Sequence, residues 1–195
     1  MGHKFNAANR SKLDSPARRK LLPTDTTIAK LGIIPGSVVV DIGCGTGYFS
    51  FSLAKAVGAA GQVIGVDISA EMLDEARKRL QQEEEQGAPN NVRFLLSQEN
   101  TLPMENQSID VVFMSNVLHE LIEPEVFFRE IERVLRKEGK VIIVEWKKQT
   151  MEMGPPMQER LSPEQVTSLF AAGGFVTQEI LDLGEAHYGM IGQRQ

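Results

Sequence analysis

Cysteine occurs once in the 195 residues, at Cys44, and histidine three times, at His3, His119 and His187. A single thiol excludes an internal disulfide and a cysteine-rich metal site. Three scattered histidines offer no metal constellation, so no metal is expected. No apolar run reaches the length of about eighteen residues that a membrane span needs. The opening stretch MGHKFNAANRSKLDSPARRK lacks the apolar centre of a secretory signal. These absences point to a cytoplasmic protein. Negative charge is scarce at the start, where Lys4, Arg10, Lys12, Arg18, Arg19 and Lys20 face only Asp14. That arm carries about +5; with a total of −5, the remainder carries about −10. A basic arm attracts anions, but so acidic a body argues against a dedicated nucleic-acid binder. No repeat, low-complexity tract or second domain is visible, and no pattern sets an oligomeric state.

What is present is an alternation. TDTTIAKLGI reads as a helix ending near Gly32, and PGSVVVDIG as a turn and a buried strand. GYFSFSLAKAVG is a helix stopped by Gly58, and GQVIGVDIS a second strand. SAEMLDEARKRLQQEEEQ has Ser69 as N-cap and places Met72, Leu73, Ala76 and Leu80 on one face. VRFLL and IDVVFMSN are strands three and four, EPEVFFREIERVLRKEG a helix closed by Gly139, and KVIIVEW strand five. SPEQVTSLFAAGGF is a helix capped by Ser162 with Pro163 at its first position. FVTQEILDLG and YGMIGQRQ are two last strands with no helix between them, expected to pair antiparallel. The pattern predicts one α/β domain, a doubly wound, mostly parallel sheet with helices on both faces. The loop KKQTMEMGPPMQER is long for a connection and is a candidate site element.

The chemistry concentrates in VVVDIGCGTGYFSFSLA, where Asp41 heads Gly43, Gly45 and Gly47 at every second position. Ligands of open parallel sheets sit beyond the carboxyl ends of the strands. Glycines in the first strand-to-helix turn let the backbone touch one directly. A dinucleotide site needs G-x-G-x-x-G. Counting from Gly43 the third glycine falls on Tyr48, and counting from Gly45 it falls on Ser50. Asp67 ends the second strand twenty residues past Gly47, where a carboxylate accepts both hydroxyls of a ribose. Asp67 alone also fits NAD.

The D-x-G-x-G-x-G pattern resembles the first motif of class I S-adenosylmethionine-dependent methyltransferases. SAEMLDEARKRL, LPMENQSIDVVFMSNVLHEL and FFREIERVLRKEGKVIIVEW match the group that includes the ubiquinone and menaquinone biosynthesis enzymes. The resemblance runs from about Val38 to Phe175. It implies a Rossmann-like seven-stranded sheet with an antiparallel C-terminal strand, S-adenosyl-L-methionine as cofactor and a small-molecule acceptor. It also implies that Asp41 and the backbone at Gly43 and Gly45 hold the methionine end. Asp67 would then hold the ribose, Ile68 would pack on adenine, and Asn116 would lie under the methionine. Where the family often has an aspartate facing the adenine amino group, this chain has Gln98 followed by Glu99, and either is an acceptor.

His119, after the fourth strand, is the candidate general base, with a structural histidine as the alternative reading. His187 and Tyr188 stand between the last two strands, either lining the substrate side or ordinary strand-end residues. Residues 1–30 are expected to form a helical arm or lid, and a chain lacking residues 1–22 is expected to fold without transferring. Cys44 reads as packing, and a lone thiol argues against a cysteine-rich arsenite methyltransferase. Three other functions stay open: methylation of RNA or protein, an NAD-dependent oxidoreductase, and a non-catalytic module that only holds the cofactor.

Overall fold

The computed structural model describes residues 15–85 and 90–195. Positions 1–14, with His3, Lys4, Arg10 and Lys12 of the expected arm, lie outside the described residues. Seven strands form one sheet: β1 (Val38–Ile42), β2 (Gln62–Asp67), β3 (Val92–Leu96), β4 (Ile109–Ser115), β5 (Leu135–Trp146), β6 (Phe175–Asp182) and β7 (His187–Arg194). Their spatial order is β3-β2-β1-β4-β5-β7-β6. The first five run parallel, and β7 pairs antiparallel with both β5 and β6. The expected antiparallel ending is therefore present, with β7 inserted between its neighbours rather than closing the edge. The strand order reverses between β1 and β4, which opens a crevice at their carboxyl ends.

Alternation along each strand builds two cores. On one face, Val40, Ile42, Val112, Met114, Val141 and Ile143 meet α5 (Pro124–Val134) and α6 (Pro163–Ala172) through Phe128, Ile131 and Phe170. On the other, Val39, Val63, Phe113, Ile142 and Val144 meet α3 (Ser50–Val57) and α4 (Ala70–Glu85) through Leu53, Val57, Leu73 and Ala76. α1 (Pro16–Leu21) and α2 (Thr24–Lys30) lead into that second face, where Leu22, Ile28 and Leu31 are buried.

The caps read from sequence hold. Ser69 Oγ accepts the Met72 amide at the start of α4, and Ser162 forms a reciprocal capping box with Gln165 on α6. One boundary moves. The helix expected to run to Gly139 stops at Val134. Leu135 turns extended, is fully buried and pairs with Ile109. The Arg194 guanidinium donates to its carbonyl at 2.7 Å. Burial and a strand partner thus outweigh the helix propensity of LRKE, and Glu138, at φ +64°, lies within β5 where its register against β4 shifts, between Leu135 and Lys140.

Candidate cofactor and acceptor site

At the carboxyl end of β1 the chain makes three left-handed steps, with Gly43, Gly45 and Gly47 at φ +64°, +55° and +82°. A side chain at Gly43 would put its Cβ 2.5 Å from Val117 Cγ2, and one at Gly47 would meet Phe51 at 2.9 Å. The turn needs glycine for its geometry and also for the closeness of what surrounds it. Gly43 itself is exposed.

Two carboxylates flank this turn. Asp41 is 2% exposed, and its Oδ2 accepts the Ser50 hydroxyl at 2.6 Å. Burial pushes its pKa up to about 7; the Ser50 bond and the Arg18 charge oppose that rise, and Asp67 adds to it. Asp67, at the end of β2, accepts the Gly45 amide at 2.9 Å and the Ser69 amide at 2.8 Å. Burial raises its pKa too, against those amide hydrogen bonds. Beyond it, Ile68 and Leu96 stand half exposed on neighbouring strand ends, the apolar flank that a flat base needs. Gln98 and Glu99 are exposed in a tight turn that Gln98 closes with Thr101. Burial and the fields of Asp41 and Asp67 keep Cys44 a thiol, with its sulfur packed near Gly65.

At the end of β4, Asn116 sits at φ +59° with its amide bonded to the Val144 carbonyl. Its Oδ1, the neighbouring Ser115 Oγ and His187 Nδ1 are buried polar atoms with no hydrogen-bond partner. They are the structure's own mark of an unfinished site. The donors and acceptors gathered along these strand ends fit an amino-acid tail, a ribose and a base. Two acidic acceptors and an amide oxygen suit an ammonium and hydroxyls, and nothing among the described residues groups as a metal site.

His119 is placed differently from a free base. Its Nδ1 lies 2.9 and 3.0 Å from the two carboxylate oxygens of Glu145, which is fully buried. The His119 and Trp146 amides bond the same carboxylate. Burial alone would lower the His119 pKa. The bond and charge of Glu145, helped by Glu120 and Glu159, more than offset it and hold the ring above its ordinary value. The pair staples the turn after β4, including the 3₁₀ segment Leu118–Glu120, to the end of β5.

On the opposite side of β5, Trp146 lies across from His187, with ring centroids 4.2 Å apart. The long loop expected as a site element is pinned here by Arg160, which is 2% exposed. Its guanidinium donates to the carbonyls of Lys147, Gln149, Met153 and Pro155 and lies 5.5 Å from the Trp146 ring centre. α1 reaches the same place: Arg18 covers the Tyr48 ring at 4.5 Å, and the Tyr48 hydroxyl donates to the Leu22 carbonyl. Leu22 is fully buried, so a deletion that reaches it removes core.

The fold thus brings Asp41, the three glycines, Asp67, Ile68 and Asn116 to one rim, with Gln98 and Glu99 at its far end. Sequence reading missed Ser50, Ser115, Trp146, Tyr48 and Arg18. Serines next to an acidic strand end carry no signal of their own. The pairing of Trp146 with His187 depends on β7 lying beside β5. A concavity lined by Thr167, Phe175 and Gln195 lies at the opposite edge of the sheet.

A family model described as a methyltransferase domain matches residues 33–184. A demethylmenaquinone methyltransferase of Lactococcus lactis is 36% identical over 119 residues, 61% of this chain and 46% of that protein. An arsenite methyltransferase of Halobacterium salinarum is 32% identical over 158 residues, 80% of this chain and 38% of that protein. The chain spans about half the length, or less, of the curated relatives it matches. A solved structure described as a SAM-dependent methyltransferase from Aquifex aeolicus superposes with a TM-score of 0.91 at 30% identity, covering 98% of this chain and all of that one. Glycine turn, strand order and these matches agree, and the chain belongs to the methyltransferase-domain family, of the class I, S-adenosylmethionine-dependent kind.

Proposed function

We propose that this chain transfers a methyl group from S-adenosylmethionine to a small-molecule acceptor, and that the residues of the strand-end rim do so mainly by binding and alignment. The observation that carries this reading is the carboxylate-headed glycine turn locked to Asp67 through the Gly45 amide. The bound cofactor supplies a sulfonium methyl: the acceptor's electron pair bonds to the methyl carbon while the carbon–sulfur pair stays on sulfur. Asp67 would accept the ribose hydroxyls. Ile68 and Leu96 would flank the adenine, with Gln98 or Glu99 as acceptor for its amino group. Asp41, the backbone at Gly43 and Gly45, and Asn116 would hold the methionine ammonium and carboxylate end. His119 serves as a staple for Glu145 rather than as the base. Arg18 and Tyr48 join the N-terminal arm to the glycine turn, so the arm acts as a lid.

For the acceptor, the quinone-type substrate in the name of the Lactococcus relative supports an oxygen-bearing ring. The buried, un-ionised Cys44 speaks against soft arsenic chemistry despite the Halobacterium relative. Calorimetry tests the cofactor: S-adenosylhomocysteine binds and NADH does not, and the reverse result sinks the reading. Deleting residues 1–20, which spares Leu22, keeps cofactor binding and abolishes turnover. Unchanged turnover refutes the lid.

A further inference from the structure

The three buried, unpartnered polar atoms do not all belong to the cofactor. With the strands in the order β3-β2-β1-β4-β5-β7-β6, the proposed cofactor binding would put adenine and ribose at β3 and β2 and the methionine end at β1 and β4. The next strand ends along the rim are those of β5 and β7, on the far side of the transferable methyl. His187 opens β7 there, and it is 1% exposed. Its Nε2 lies 3.4 Å from the Asn116 side-chain nitrogen, which can only donate. Nε2 is then the acceptor, and the ring proton of a neutral imidazole sits on Nδ1, the atom with no partner. Burial, then the charges of Arg18, Arg160 and Lys147, pull its pKa down to about 3, which favours the neutral ring.

The placement of the ring is built rather than incidental. Trp146 holds it from the side, and Gly154, at φ +95°, comes so close that a Cβ there would lie 2.9 Å from the indole. Arg160 folds the loop that carries Gly154 and gives four of its five N–H groups to backbone carbonyls. It thus acts as a fixed cation and leaves the imidazole as the group free to bond. Ser115 Oγ, at the end of β4, is a further buried polar atom with no partner.

We infer that the ends of β4, β5 and β7 form the acceptor subsite, and that His187 Nδ1–H, assisted by Ser115 Oγ, hydrogen-bonds a carbonyl or phenolic oxygen of a planar acceptor. This rests on the methyltransferase reading and deepens it. A buried N–H donor surrounded by positive charge rejects a cationic amine and selects an oxygen, preferentially one that carries negative charge. The subsite orients the acceptor; no proton transfer is asked of His187.

The test uses the full chain saturated with S-adenosylhomocysteine and two probes of one shape, 1-naphthol and naphthalene. Failure to bind S-adenosylhomocysteine overturns the cofactor reading, and with it this one. Given that binding, 1-naphthol is expected to bind at least tenfold tighter than naphthalene. His187→Phe, which keeps a ring against Trp146, should erase that difference and leave the S-adenosylhomocysteine affinity within about twofold. Nitrogen-15 spectra of the wild-type histidines give a second readout that does not depend on the variant folding. They should show His187 neutral with its proton on Nδ1 from pH 5 to 8, and that nitrogen alone among the ring signals should shift on addition of 1-naphthol. Equal binding of the two probes, equal loss of both in the variant, or an unmoved His187 signal each overturns the assignment.

Discussion

Replacing Asp41 with Asn tests whether the buried carboxylate at the head of the glycine turn is a working charge. Burial holds its pKa at about 7, although Ser50 donates to it at 2.6 Å. Roughly one molecule in ten carries the charge at pH 6 and half do at pH 7, from the ordinary titration relation. If the methionine ammonium binds only the ionised form, apparent affinity for S-adenosylhomocysteine rises roughly fivefold across that interval, about 1 kcal/mol. An α-amino group, with a pKa of about 7.7–8.0, keeps most of its own proton over that interval. About half a proton leaves per binding event at pH 7, read by calorimetry in buffers of different ionisation enthalpy. Asp41→Asn should bind more weakly and flatten the curve, and Ser50→Ala should move it to higher pH. The same shift bears on stability with the opposite benefit. The folded acid holds its proton more tightly than the unfolded one, so unfolding free energy falls as pH climbs from about 4 to about 7. The asparagine variant should therefore be the more stable protein near pH 8. A wild-type affinity that is flat from pH 6 to 7, or a curve unchanged in Asp41→Asn, refutes the reasoning.

Other substitutions separate binding from folding. Asp67→Ala frees the Gly45 and Ser69 amides and removes the ribose acceptor, so S-adenosylhomocysteine affinity should drop at least tenfold, measured by calorimetry. Gly43→Ala meets both the left-handed penalty of about 1–2 kcal/mol and Val117, and it should abolish cofactor binding. Gly58→Ala, at φ +66° with open space around it, should lower the denaturation midpoint and leave binding intact. Glu145→Gln removes what keeps the His119 ring protonated, so the ring should go neutral and the chemical denaturation midpoint near pH 6 should fall. His119 has a raised folded pKa, so the stability it contributes is complete below about 6.5 and is lost as pH rises through the folded value. That loss should disappear in the glutamine variant.

The glycine turn and Asp67 were legible because a single local stretch carries both the conformational demand and the chemistry. The end of α5 was not: Leu135 leaves the helix only because Ile109 and Arg194, distant in sequence, claim its backbone. His119 kept its place after β4, but its partner Glu145 lies on another strand, so the carboxylate that holds its ring could not be read from the local sequence. His187 was visible as a residue and invisible as a donor. Its lowered pKa comes first from burial and then from Arg18, Arg160 and Lys147, and the fold alone supplies both.

The last strand in the chain fills the second-to-last slot of the sheet, and its first six residues are buried. A nascent chain therefore cannot zip up in order of synthesis. Until β7 emerges, β5 and β6 both present raw edges, and the slot between them stays open to any other extended segment. Maturation waits on that late insertion, which also delivers the imidazole to its post: the sheet is sealed and the far end of the crevice is furnished in one event.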